Sequence, residues 1–225
     1  MSDGSFPPIS TYSDPVPPRR GRSAAFWLWV LIPACLLVAV LLVVGLGAAF
    51  VLTATEEEVT AEDRQLIVDA QTLAECMEDF TADPQNETIT KTRYFDRSYD
   101  IEYEYDDPSD DYEPYLYFCV TVERNSSDAL TSYVAAWQTS KLGMAWGSDA
   151  EVKVVECNDL FRWGDQSKFA ILKVDGEPAG NLFAARRGNL VVDLILGGVY
   201  FDDAETFSSL MSSALENIED SGRCE

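Results

Sequence analysis

Eight carboxylates fall within 14 residues, at Asp100, Glu102, Glu104, Asp106, Asp107, Asp110, Asp111 and Glu113, with no basic residue among them. Clustered hard oxygens are the ligand set that calcium prefers. The order Asp106-Asp107-Pro108-Ser109-Asp110-Asp111 lacks the glycine and the distal glutamate of an EF-hand loop. The expectation is therefore no cofactor, or at most a weak Ca2+ site on Asp106, Asp107, Asp110 and Asp111. The alternatives are a solvated acidic loop whose charge keeps a strand edge unpaired, and a docking site for a basic protein. Arg186 and Arg187 form a basic pair in an otherwise acidic region. Two adjacent guanidinium groups can clamp the carboxylate or phosphate of a small ligand or partner, or stand exposed at a hairpin tip. Trp137, Trp146, Phe161 and Trp163 fit an aromatic core or a pocket lining.

The chain holds no histidine. This removes the usual general base, the usual zinc nitrogen ligand and the Ser-His-Asp arrangement, and predicts that the chain is not an enzyme. Five cysteines are present, one of them (Cys35) inside an apolar run. The other four read as two disulfides with three open connectivities, or as free thiols. The pairs Cys76–Cys119 and Cys157–Cys224 are the preferred set.

The elements that must hold these residues follow from periodicity. Leu66, Ala70, Leu73, Met77 and Phe80 recur at helical spacing, predicting a helix over 60–80 with Thr60 as its cap. Tyr99, Ile101, Tyr103 and Tyr105 alternate with acids, which predicts a strand with one apolar and one acidic face. It should pair with 115–123 as a hairpin, after a strand at 89–95. Ser127 can cap a second helix that runs to about Gly143 and buries Leu130, Val134 and Trp137. Strands follow at 151–156, 167–174, 181–186 and 190–196. The last is apolar except for Asp193, which fits a central strand covered on both faces. Asp202 opens a final helix whose apolar set is Phe207, Leu210, Met211, Ala214, Leu215 and Ile218. The fold class is α+β, a single N-terminal transmembrane helix followed by an antiparallel sheet flanked by helices.

The membrane expectation rests on residues 24–52. They are apolar throughout and exceed the roughly 20 residues that cross a bilayer, with Arg19, Arg20 and Arg22 before them and Glu56, Glu57 and Glu58 after them. Basic residues on one flank place that flank in the cytoplasm. The expected organisation is a disordered cytoplasmic tail at 1–23, a single integral span at 24–52, a linker at 53–59 and an extracytoplasmic domain at 60–225, held at the cell membrane. Ile32-Pro33-Ala34-Cys35 also admits a lipobox reading, and the small residues near Gly45 a cleavage site. The chain carries 16 basic and 39 acidic residues, a formal net charge of −23. That field disfavours nucleic acid and favours cations or basic partners.

The segment Asn181-Leu182-Phe183-Ala184-Ala185-Arg186-Arg187-Gly188-Asn189-Leu190-Val191-Val192-Asp193-Leu194, followed by a loop and an amphipathic helix ending near Ile218, resembles the close of the PknH-like extracytoplasmic sensor domains of actinobacteria. It is also similar in element order to PsbP-like sandwiches. The resemblance implies an antiparallel sheet flanked by helices, hung outside the membrane from one span, with a ligand held in a cleft. Those kinases carry disulfide cysteines around the closing strands, where this chain has residues such as Asn181 and Gly197, and no binding residue transfers by motif.

Together these features predict a membrane-anchored extracytoplasmic module that binds a ligand or protein partner without catalysis. The alternatives are a structural or assembly component of a cell-envelope complex and, after it, a carboxylate-based hydrolase.

Overall fold

The computed structural model describes residues 54–77, 80–107, 114–146 and 151–223, with only the backbone of 144–146. Eight strands form one antiparallel sheet. They are β1 (Thr55–Glu57), β2 (Glu87–Arg93), β3 (Tyr99–Asp106), β4 (Tyr115–Val122), β5 (Val152–Glu156), β6 (Gln166–Val174), β7 (Glu177–Arg187) and β8 (Leu190–Gly197). Their order across the sheet is β1-β2-β3-β4-β8-β7-β6-β5. The helices are α1 (Ala61–Arg64), α2 (Ala70–Glu75), α3 (Ser126–Trp146) and α4 (Ala204–Asp220). The α+β architecture is as expected. Among the described residues no helix is long and apolar enough to cross a membrane. The tail at 1–23 and the apolar run at 24–52 lie outside the described residues. Residues 55–57, expected as linker, form β1 and pair with β2 through Thr55↔Arg93 and Glu57↔Lys91.

One sheet face carries the main core. Ile101, Tyr103 and Tyr105 of β3, Leu116, Phe118 and Val120 of β4, and Leu190, Val192, Leu194 and Leu196 of β8 are all buried there. The strict alternation of β3 puts all its large apolar groups on this side. α4 packs on it through Phe207, Leu210, Met211, Ala214, Leu215 and Ile218, as its spacing predicts. The Phe207 ring meets Phe169, Phe161 and Phe183 edge-on at 4.7, 5.0 and 5.8 Å. Such pairs contribute about 0.5–1.5 kcal/mol each beyond the area they bury. The helix is capped by Asp203, which accepts from Thr206 N at 2.7 Å, one residue beyond the expected Asp202.

The predicted helix over 60–80 is two short ones. Leu66, Ile67 and Val68 are consecutive and all buried, and three adjacent residues cannot share one face of a helix. The chain turns there, and Asp69 caps α2 by accepting from Thr72 N at 2.8 Å. α1 keeps the expected Thr60 cap, reinforced by a capping box with Asp63.

α3 lies on the opposite face. Its inward row is Ala129, Tyr133 and Trp137, packed on Ala170 and Leu172 of β6, Leu182 and Ala184 of β7, and Val191 of β8. The expected inward residues Leu130 and Val134 are instead 42% and 50% exposed. Asn125 caps the helix, its side-chain oxygen accepting from Ser127 N and Asp128 N at 3.0 Å each. Trp137 therefore fixes the helix rotation, while Leu130 and Val134 lie one residue round from the buried row.

Candidate binding groove

Seven strand spacings of about 4.8 Å make the sheet roughly 34 Å wide, and a helix is only about 10–12 Å across. One helix cannot cover such a face. α3 packs over β5–β8, and the flank of the helix facing β3 and β4 leaves a groove of about 440 Å³. The helix side is built from small residues: Ser132, Ala135, Ala136, Thr139, Ser140 and Gly143. These occupy the strip beside the buried row, and their size makes the room. The sheet side holds Asp100 and Glu102 of β3, Tyr115, Tyr117, Cys119 and Thr121 of β4, and Val191, Asp193 and Ile195 of β8.

Strand register orders the sheet side into rows. Glu102 stands opposite Cys119, and Cys119 opposite Asp193. Asp100 stands opposite Thr121, and Thr121 opposite Val191. A buried thiol is thus flanked by two carboxylates, one on each neighbouring strand. Ser140 of α3 donates to Asp193 Oδ2 at 3.0 Å. Tyr117 donates to Glu102 Oε1 at 3.3 Å, and Tyr94 to Asp100 Oδ2 at 2.8 Å. The second oxygen of Asp100 is shut from solvent and has no hydrogen-bond partner. At the N-terminal half of α3, Ser132 donates to Glu123. Among the described residues that line the groove there is no lysine or arginine.

Charge in this groove is costly. Burial raises the Asp193 carboxyl to about 6, against a smaller lowering by the Ser140 hydrogen bond. Burial raises Asp100 as well, opposed by hydrogen bonding from Tyr94 and then Thr121. Glu102 is raised by burial and then by Asp100, with the Tyr117 bond opposing. Burial, followed by Asp100 and Glu102, pushes the Cys119 thiol far up, which makes it a poor nucleophile. Each group is held towards its neutral form because no cation faces it.

Of the expected site residues, Asp100 and Glu102 of the acidic stretch and Cys119 line this groove, whereas Asp106, Asp107, Arg186 and Arg187 do not. Asp106 ends β3, and Asp107 is buried and accepts from Tyr105 Oη at 3.2 Å. Asp110 and Asp111 lie outside the described residues. Among the described residues no group of three or more Asp, Glu, Cys or His is placed to hold a metal ion. The acidic face of β3 does not guard an edge, since β3 pairs on both sides. Arg186 is taken up within the domain, donating to Ser126 O at 3.3 Å and Gly188 O at 3.1 Å and pairing with Asp165 at 3.5 Å. Arg187 pairs with Glu219 and lies 5.9 Å from the centre of the Trp163 ring. Both arginines thus have partners within the domain. The aromatic set is also divided: Trp137 belongs to the α3 face, whereas Phe161 and Trp163 pack against the α4 side.

The preferred disulfide Cys76–Cys119 is overturned. Both are free thiols. Cys76 packs against the α4-side core, while Cys119 points into the groove on the other face, so the sheet separates them. Cys157 is likewise a free thiol, its Sγ donating to Val155 O at 3.5 Å, and Cys224 lies outside the described residues.

Asp193 escaped sequence reasoning as a site residue, and Cys119 was read as half of a disulfide. The one available signal was Asp193 itself, a single acid in an apolar strand, beside a helix rich in small residues.

No family model matches the chain, and no curated protein is similar to it in sequence. Among solved structures, the chain is similar to the crystal structure of the extracellular domain of PknH from Mycobacterium tuberculosis. The identity is 10%, the match covers 72% of this chain and 98% of that one, and the TM-score is 0.43. The likeness read from the closing strands and helix is thus met at the level of the chain trace. At that score it carries no argument about a site.

Proposed function

We propose that this chain is a membrane-anchored extracytoplasmic binding module, without catalytic activity, whose ligand enters the groove between α3 and strands β3, β4 and β8. The observation that carries this reading is the half-covered sheet face: a concave, largely apolar cavity with a few convergent polar groups, the usual form of a small-ligand site. The apolar run at 24–52, with its arginines on one flank, supports the anchor and the orientation. The lack of histidine and the raised Cys119 thiol support binding over catalysis.

The test is a thermal-shift screen of the full chain in mild detergent against a chemically mixed small-molecule library, run beside Ala136→Trp. The indole would fill the groove from the helix side. Ligands that stabilise the native chain and not the variant support the reading. Ligands that stabilise both equally, or none at all, refute it.

A second reading has one specific observation behind it. Glu102 and Asp193 stand on either side of β4 and both line the groove, a pair of carboxyl groups of the type that glycoside hydrolysis uses. Release of reducing sugar from envelope glycans, abolished by Asp193→Asn, would favour it.

A further inference from the structure

We infer that the groove takes an organic cation, an amine or ammonium group carried on a small apolar body; this rests on the binding reading above. The cavity supplies both halves of that recognition. Val191, Ile195, Ala135 and Ala136 give an apolar body its contact surface, and carboxylates from two strands supply the counter-charge. Hydrogen-bonding capacity decides the sign. Three wall hydroxyls are already committed to carboxylates, Ser140 to Asp193, Ser132 to Glu123 and Tyr117 to Glu102. These carboxylates can accept further hydrogen bonds, and Asp100 Oδ1 has none of good geometry, with only the Thr121 hydroxyl of the neighbouring strand close by. A ligand that brings N–H donors and positive charge completes these groups. An anion would meet three carboxylates with no lysine or arginine beside them, and a carboxylate or phosphate ligand is disfavoured on that ground. A bare metal ion does not fit either, since no described cluster gathers three ligating side chains. The rings of Tyr115 and Tyr117 line the same cavity and offer faces that attract alkylammonium groups. The net charge of −23 raises the local concentration of cations around the whole chain.

The experiment is calorimetric titration of the full chain in detergent with n-butylammonium, tetraethylammonium and 1,4-diaminobutane, each matched against butyrate and n-butanol. Saturable binding of at least one amine is expected, with neither butyrate nor butanol competing. The Glu102→Gln, Asp193→Asn pair should weaken that amine at least about tenfold, the loss of one charge-assisted contact. A melting curve of that variant establishes that it is folded. Butyrate or butanol binding as well as the amines overturns the cation assignment, yet leaves the groove as a ligand site. No saturation by any amine at about 10 mM, where even a Kd near 1 mM would register, also overturns it. In that case the library screen with Ala136→Trp decides separately whether the binding reading survives.

Discussion

Replacing Asp193 by Asn should stabilise the protein, against the usual trend for a substitution in a sheet interior. Asp193 stands on central strand β8 and receives one hydrogen bond, from Ser140 at 3.0 Å. The carboxylates facing the same groove are Asp100 and Glu102, and Cys119, Tyr115 and Tyr117 are the other titratable groups there. Burial raises the Asp193 carboxyl from an ordinary 3.8 to about 6. The folded state therefore holds a proton that the unfolded chain releases, and stability falls as pH rises between these values. Below about pH 4 both states are protonated and nothing is lost. Above about pH 6 the whole penalty is present, and at about 1.4 kcal/mol per pH unit it amounts to about 3 kcal/mol. Asn keeps an oxygen for Ser140 and carries no charge. The variant should match the native chain near pH 4 and exceed it by up to about 3 kcal/mol near pH 8. For a chain of this size that is roughly 6–12 °C in Tm. Tryptophan fluorescence melts of both forms at the two pH values measure it. An Asn variant that melts lower at pH 8, or a difference that does not shrink on acidification, would refute the account of a groove without a counter-cation.

Two other sites give sharp expectations. At Gly180 in β7 an added Cβ would stand 2.1 Å from Leu196 O and 3.1 Å from the Leu172 side chain. Gly180→Ala should therefore cost about 2–4 kcal/mol through backbone displacement. Gly143→Ala, where the Cβ meets open space within a helix, should instead gain about 0.5–1 kcal/mol; urea unfolding of the pair checks the contrast. Asp63 is buried and pairs with Lys91 at 2.9 Å and Arg223 at 3.3 Å. Although burial opposes ionisation, hydrogen bonds from Lys91 and Thr60 lower its carboxyl from 3.8 to about 2. Its contribution is full above about pH 4 and is lost as pH falls towards 2. Asp63→Asn should cost about 2–4 kcal/mol at neutral pH, a deficit that narrows on acid titration followed by circular dichroism.

What could be read from the chain depended on whether a pattern was local. The alternation of Tyr99 to Tyr105 placed β3 correctly because one face is wholly buried and register is then strongly specified. The final helix was legible because its six apolar residues share one stripe. The helix α3 was legible but its inward face was not, since its buried row mixes Ala129, Tyr133 and Trp137 with the hydroxyl of Ser140, and hydrophobicity around the helix is nearly even. The 60–80 segment misled for the opposite reason: helical spacing was present, but Ile67 and Val68 also had to be buried. The groove was least visible. It arises from strands 70 to 90 residues apart in sequence, brought together by register, and its acids look like a solvated face until β8 is placed beside β4. The same long-range placement puts Cys76 and Cys119 on opposite sides of the sheet, which no count of cysteines reveals.

Strands β3, β4 and β8 each send every second side chain into the packed interior beneath α4 and the intervening ones towards α3. The two sets share a backbone but almost no neighbours. If the groove binds as proposed, mutations that retune the outer row need not disturb the inner row that keeps the chain folded. Drift in selectivity can accumulate at positions such as 102, 119 and 193 while 101, 118 and 192 stay fixed. A deep mutational scan would register this as a two-residue beat along each strand, tolerant and intolerant sites in turn.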